Sequence, residues 1–445
     1  VAKGAKENVC KKMKVNQKIL LAFYGDDFTG STDALDFITS AGAKAVLFID
    51  PPTEEQLLQF PQLDVIGVAG KTRALPPDEM EKILMPAFEQ LKVSGAKHVH
   101  YKVCSTFDSS PAVGSIGRAI DCGSAVFQNK LIPVLGGMPA LGRYCLFGNL
   151  FARMGIGSNG NIYRLDRHPS MSKHPVTPAD ESDLRLHLAK QSHKKFGLID
   201  ILQLEKPIQQ WNEVLQAGEE LVLVDVVYDW QMGKIGEWMN SLEEDKALFS
   251  AGGSGVEAAL GSYWNETGLL RPRIEWQPIQ KTNALLVVSG SCSPVTAAQI
   301  EWAKVNGFEE VILDAVEICN GGLFDTTQII NLLNSQKHVM VHTGTKQAKN
   351  LSSEKLGTAL GIIAKEAVIH TGIKRVLVAG GDTSSFAARA MEIEAVEMVA
   401  PLTSGAPLCK AYSNNETMKG LEVNFKGGQF GSEDYFGMLI NGKVI

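Results

Sequence analysis

Asp26 and Asp27 stand side by side and are followed by Phe28-Thr29-Gly30, directly behind an apolar run that ends at Tyr24-Gly25. Adjacent acids with Thr and Gly behind them can cap a helix. One of them can also bind a substrate hydroxyl or remove its proton. Neighbouring residues in a turn point apart, so one acid can be catalytic while the other caps. Two more polar clusters follow apolar runs in the same half: Gly70-Lys71-Thr72-Arg73, and Lys102 leading into Cys104-Ser105-Thr106-Phe107-Asp108-Ser109. Arg73 and Lys102 would clamp a carboxylate, the guanidinium through a two-pronged contact. Ser105, Thr106 and Asp108 would bind hydroxyls. Any one cation is more often a surface group, but three polar strand ends along one sheet edge argue for a shared pocket.

A second set of residues suits phosphate. Ala251-Gly252-Gly253-Ser254-Gly255, Ser289-Gly290-Ser291, Ala379-Gly380-Gly381-Asp382-Thr383-Ser384 and Lys426-Gly427-Gly428-Gln429-Phe430-Gly431 all close apolar runs. Bare backbone N–H groups at such turns attract anions. Singly, each is an ordinary strand-to-helix connection; several together argue for a nucleotide. Ser254, Gly380, Gly381, Asp382, Thr383, Gly427 and Gly428 are the expected nucleotide contacts, with Asp382 placed to reach magnesium. No Walker A pattern occurs, and no Gly-x-Gly-x-x-Gly follows a strand, which excludes a standard P-loop enzyme and an obvious dinucleotide fold. No Gly-x-Ser-x-Gly nucleophile elbow follows a strand either. His168 and His174 flank Pro169 and Lys173; hydrogen bonding or substrate contact suits them better than zinc.

These residues need a scaffold that brings strand ends together. Short apolar runs at 18–24, 45–49, 65–69, 99–104, 131–135, 198–202, 221–227 and 247–251 read as strands. Between the earlier ones lie helical patterns at 31–40, 54–60, 78–93 and 115–127. Strands apolar throughout, separated by helices, predict parallel pairing with helices on both faces. Residues 141–187 break the rhythm, and a long irregular stretch in a compact domain is often functional. Residues 268–281 are polar, aperiodic and contain Pro, which marks a linker. A second α/β unit follows, with strands at 284–288, 310–315, 339–342 and 375–379 and helices at 296–305, 327–336, 354–370 and 385–391. The expected fold is α/β in two domains, 17–267 and 282–445, each a mostly parallel sheet flanked by helices, behind a disordered basic tail at 1–16.

The bulk composition agrees. The chain has 445 residues, 44% hydrophobic and 21% charged, with a formal net charge of −6. That is ample for two buried cores and argues against a general nucleic-acid binder. The seven cysteines are scattered with no Cys-x-x-Cys pair, which predicts a reducing, cytoplasmic setting. No apolar run approaches the ~20 residues that span a bilayer, so no membrane partner is expected; a homo-oligomer is compatible with the composition.

Taken in order, the motifs resemble the four-carbon acid sugar kinase family. Asp26-Asp27-Phe28-Thr29-Gly30 matches its opening Asp-Asp-x-Thr-Gly, and 102–109 is similar to its Lys-x-x-Ser-Thr segment. Ser289-Gly290-Ser291 with Thr296 and Gln299, Gly380-Gly381-Asp382-Thr383, Ser404-Gly405-Ala406-Pro407 and 426–431 are similar to its later motifs. The resemblance spans about residues 18 to 436. It implies an acid-sugar-binding N-terminal domain and a nucleotide-binding C-terminal domain. It also implies ATP- and Mg2+-dependent phosphorylation of the terminal hydroxyl of 3-oxo-tetronate, threonate or erythronate. Within it, Asp26 or Asp27 acts as base or orients the nucleophile. Ser105-Thr106-Phe107-Asp108-Ser109 is closer to the 3-oxo-tetronate branch. The chain departs from the pattern after Asp108, at Gly427 and Gln429, and across 142–174, where Tyr163-Arg164-Leu165-Asp166-Arg167-His168-Pro169 marks a distinct subgroup. Other readings are a nicotinamide-dependent dehydrogenase of a small hydroxy acid, disfavoured by the missing fingerprint, and a non-catalytic protein that keeps the fold.

Overall fold

The structure is a computed structural model that describes residues 19–442, apart from 155–159, 175, 243–244, 321, 323 and 345–351. The expected tail at 1–16 lies outside these residues. A 15-stranded sheet runs through the molecule. From one edge it passes through Phe308–Ile312, His338–His342, Leu286–Ser289, Arg375–Ala379, Glu422–Lys426, Leu408–Tyr412 and Ala395–Ala400. It continues through Ala45–Phe48, Val65–Ala69, Leu21–Gly25, His98–Lys102, Leu248–Gly252, Ile132–Leu135, Glu219–Val224 and Lys195–Ile199. The strands Leu21–Gly25, Val65–Ala69 and Arg375–Ala379 are buried at every position, as a parallel sheet covered on both faces requires.

The sequence pointed to two sheets; the structure joins them edge to edge. Ala395 and Val396 pair antiparallel with Phe48 and Leu47. Leu408–Tyr412 runs antiparallel to both its neighbours, and the other ladders are parallel. Ala395–Ala400, Leu408–Tyr412 and Glu422–Lys426, which build this seam, carry Glu, Lys and Asn among apolar residues and were not assigned from the sequence. An edge strand left unpaired would expose a row of backbone donors and acceptors; the seam satisfies them.

The helix Phe28–Ser40 lies across the junction. It is buried along most of its length despite Thr29, Ser31, Thr32, Asp33, Asp36 and Thr39. It packs on the helices Gly255–Glu266 and Gly381–Ala390 and on the strand Glu422–Lys426, so it touches both halves. Phe28 meets Phe425 with ring centres 4.4 Å apart. Asp36 accepts the Gly405 N–H at 2.8 Å, and Arg389 donates to the Ile49 carbonyl at 2.9 Å.

The stretch read as irregular holds a small antiparallel sheet, Arg143–Leu146, Asn149–Arg153 and Ile162–Arg164. Its hairpin turns at Phe147 (φ 49°) and Gly148 (φ 80°), the left-handed pair that a two-residue hairpin demands. Burial alternates along Asn149–Arg153, which is the period of two that a longer window obscures. Residues 271–281 form no helix or strand. Among the described residues no helix is long and apolar enough to cross a membrane.

Candidate active site

Asp26 follows directly on the strand Leu21–Gly25, and its N–H bonds the Lys102 carbonyl at the end of the adjacent strand, 2.8 Å away. Asp27 takes extended backbone and caps the helix Phe28–Ser40, its Oδ1 accepting the Gly30 N–H at 2.8 Å and its Oδ2 the Thr29 hydroxyl at 2.8 Å. Arg73, in the short turn Thr72–Ala74, faces both acids. Its Nη2 lies 2.8 Å from Asp26 Oδ1 and 2.7 Å from Asp27 Oδ1, and its Nη1 donates to Asp27 Oδ2 at 2.8 Å. The guanidinium expected to clamp a substrate carboxylate is thus committed to the protein's own acids.

The two acids are buried at 3% and 4% exposure, and their carboxyls are shifted in opposite directions. Burial pushes the Asp26 carboxyl above the usual carboxylate range, and the neighbouring Asp27 charge adds to that against the pull of Arg73. Burial acts on Asp27 as well, but Arg73, the Thr29 hydroxyl, Lys102 and the Gly30 N–H outweigh it and hold Asp27 low. Asp27 is thus held as a carboxylate. Lys102 is fully buried; its ammonium donates to the Val103 carbonyl at 2.8 Å and faces Asp33 at 3.4 Å.

Ser105 accepts from Arg143 Nε at 3.2 Å. The Thr106 hydroxyl pairs with Cys104 Sγ at 3.1 Å, and Asp108 accepts the Thr177 hydroxyl with His174 Nδ1 3.7 Å away. Arg143 was not singled out from the sequence. It is 6% exposed, donates otherwise to the carbonyls of Leu141, Gly142 and Arg153, and has no carboxylate partner among the described residues. Its signal was faint: one cation in a stretch whose strands were not recognised.

The glycine turns of the other half converge on the same place. Gly380 has φ 122°, a conformation that favours glycine, and opens the helix Gly381–Ala390 with no side-chain cap, leaving N–H groups of its first turn for a ligand. A methyl group on Gly381 would lie 3.4 Å from Asp27 Oδ2 and 3.5 Å from Thr29 Oγ1; one on Gly427 would lie 3.8 Å from Thr29 Oγ1. A methyl on Gly290 would stand 2.4 Å from Thr383 Oγ1, and one on Gly428 would stand 2.7 Å from Ser291 Oγ, so these turns are packed against one another. Gln299 pins the last turn by donating to the carbonyls of Phe430, Gly431 and Ser432 at 2.9, 3.2 and 2.9 Å.

Ser254, an expected nucleotide contact, has its fully buried hydroxyl donating to Asp33 Oδ2 at 2.8 Å, beside Lys102. The Asp382 side chain lies outside the described ones. Among the described residues no group of three His, Cys, Asp or Glu could hold a metal ion alone.

Comparison with known proteins fits this geometry. The description "Sugar-binding N-terminal domain" matches residues 21–260, and "Nucleotide-binding C-terminal domain" matches residues 286–436. A 3-oxo-isoapionate kinase of Paraburkholderia graminis is 39% identical over 96% of this chain and 95% of its own length. A 3-oxo-tetronate kinase of Methylobacterium radiotolerans is 26% identical over 95% of this chain and 99% of its own. A crystal structure from Salmonella typhimurium LT2, described as a tRNA synthase, aligns with a TM-score of 0.74 at 24% identity, covering 94% of this chain and 98% of that one, and shares the fold. The names of the sequence relatives favour phosphoryl transfer over the dehydrogenase and the non-catalytic reading. With both domains matched and the acid pair facing the glycine turns, the chain belongs to the four-carbon acid sugar kinase family, phosphotransferases that act on sugar acids.

Proposed function

We propose that this chain transfers the γ-phosphate of ATP to a terminal hydroxyl of a 3-oxo sugar acid, with 3-oxo-isoapionate as the first candidate and 3-oxo-tetronate as the second. The observation that carries the reading is the close approach of the Gly381 turn to Asp27 and Thr29, which sets an anion-binding helix start against a charged acid. The ranking of substrates follows the 39% identity to the 3-oxo-isoapionate kinase against 26% to the 3-oxo-tetronate kinase.

Phosphoryl transfer asks for alignment and charge neutralisation more than for covalent chemistry. In this reading Asp27 orients the attacking hydroxyl and accepts its proton, with Arg73 fixing its rotamer. Arg143 takes the role first expected of Arg73: a buried guanidinium without an acid partner costs several kcal/mol, which a substrate carboxylate offsets. Ser105, Thr106 and Asp108 hold the substrate's oxygens. Gly380, Gly381, Thr383 and Gly428 cradle phosphates through backbone N–H groups, with Ser291 beside them in place of Ser254.

Magnesium would supply charge neutralisation at the phosphates; it needs only one or two carboxylates, and Asp382 is the residue we assign to hold it. Segments 17–267 and 282–445 act as acceptor and nucleotide domains about the linker 268–281, and their closure excludes water. A cytoplasmic setting, where ATP is available, suits the free thiols of the described cysteines.

The test is a coupled ADP assay with 3-oxo-isoapionate, 3-oxo-tetronate, threonate and erythronate. ADP release should require a sugar acid and run fastest with a 3-oxo acid. ADP formation with none of them would end the reading.

A further inference from the structure

Among the described residues, the lysines and arginines buried from solvent are Lys102, Arg143, Arg375 and Lys426. Lys102 faces Asp33 at 3.4 Å and Arg375 faces Glu422 at 2.5 Å. Arg143 stands on the acceptor side. Lys426 stands on the other side, and no described carboxylate pairs with it.

Lys426 ends the strand Glu422–Lys426, directly before the Gly427-Gly428 turn. Its ammonium donates to Thr296 Oγ1 at 3.2 Å and lies 5.9 Å from the centre of the Tyr435 ring. The Thr296 hydroxyl is in turn 3.0 Å from Ser291 Oγ and 3.1 Å from the Gly428 carbonyl. A methyl on Gly380 would lie 3.5 Å from the Ser291 N atom. The amine therefore stands one hydroxyl behind the rim where the three glycine turns meet.

We propose that Lys426 is a positioning charge for the nucleotide: with a triphosphate bound it is protonated, orients the Thr296–Ser291 hydroxyl layer and supplies the positive field against which the phosphates bind. A lysine kept for packing alone would be replaceable by methionine, which has similar length and no charge to desolvate. Placing an unpaired ammonium at this depth makes sense where an anion arrives. Burial pushes Lys426 down to about 7, so at pH 8 the empty protein holds it mostly neutral. Polyphosphate favours the charged form and draws a proton from solvent. Tyr435, the titratable side chain against it, is pushed up by burial and stays neutral, so it does not compete for that proton.

The inference rests on the kinase reading, and calorimetry separates the two. Wild type, Lys426→Met and Lys426→Arg are titrated with ATP and with adenosine at pH 8, in two buffers of different ionisation enthalpy. Wild type should take up about one proton per ATP bound. Lys426→Met should bind ATP ~10–100-fold more weakly, without proton uptake, while adenosine affinity stays within about twofold and the Tm does not fall. Lys426→Arg should keep most of the ATP affinity and lose the proton uptake, because a guanidinium is always charged. An ATP-to-adenosine affinity ratio equal in wild type and Lys426→Met, or proton uptake that survives either substitution, would overturn the inference while leaving the kinase reading in place. A wild-type chain that binds no ATP would end both. If Lys426→Met does not fold, the proton uptake of Lys426→Arg decides alone.

Discussion

Removing Arg73 should turn a stabilising ion cluster into a buried repulsion whose cost depends on pH. Arg73 is the guanidinium between Asp26 and Asp27, within 2.8 Å of each, and its side chain is 22% exposed while the acids' are 3% and 5%. Breaking a buried pair by deleting one partner costs ~3–5 kcal/mol. The partial exposure of Arg73 lets water enter the gap, so the lower end, about 3 kcal/mol, is the figure for Arg73→Ala at pH 8.

The sign with pH follows from linkage. In wild type Arg73 helps hold Asp27 below the usual carboxylate range, so that contribution is present above the ordinary carboxylate pKa and fades as pH falls through the folded value. Without Arg73 both carboxyls are pushed up by burial and by each other. The folded variant then binds more protons than its unfolded chain and gains stability as pH falls. The gap between wild type and variant should therefore narrow from about 3 kcal/mol at pH 8 toward 1 kcal/mol at pH 5. Urea denaturation at both pH values reads it, with Arg73→Lys recovering part of the loss. A gap below about 1 kcal/mol at pH 8, or one of equal size at both pH values, would refute the reasoning.

Asp36 titrates in the opposite sense. Burial raises its carboxyl to about 7 while it accepts the Gly405 N–H, so wild-type stability falls as pH rises from about 4 through 7, by on the order of 4 kcal/mol in full. Asp36→Asn keeps an acceptor for Gly405 and should be more stable than wild type at pH 8 but not at pH 4, measured by urea midpoints. Gly381→Val should place methyl groups against Asp27 and Thr29, lowering kcat/KM for the sugar acid roughly 100-fold with little change in Tm, as steady-state kinetics and thermal melting will show. Gln299→Met removes the donor that holds three carbonyls of the last glycine turn; the KM for ATP should rise roughly 10-fold and hydrogen exchange at 428–432 should quicken.

The strand ends were legible because parallel strands announce themselves as apolar runs and their polar termini stand out against them. Asp26, Asp27, Arg73 and Lys102 were singled out this way, and Leu21–Gly25, Val65–Ala69 and Arg375–Ala379 fall on the runs read as strands. What the sequence hid is partnership. Arg73 reads as a free cation until Asp26 and Asp27 are seen folded onto it. Ser254 reads as a phosphate contact until Asp33, from a helix far earlier in the chain, takes its hydroxyl. Arg143 and Lys426 stand out because no described carboxylate lies within ion-pair distance of them, a property with no trace in residue type or spacing. The seam strands escaped because Glu397, Lys410 and Asn424 interrupt their apolar character; Asn424 is reconciled to the core by donating to the carbonyls of Ala406 and Pro407.

The account turns on Asp27 acting across the gap from the Gly381 turn. Its most direct test is ADP production from ATP and 3-oxo-isoapionate by wild type and Asp27→Asn, with nucleotide binding measured on the same samples. Asparagine still caps the helix, so the variant should fold. The account predicts a ~10²–10⁴-fold fall in kcat with ATP affinity within about threefold of wild type. Wild-type turnover by the folded Asp27→Asn chain would contradict it.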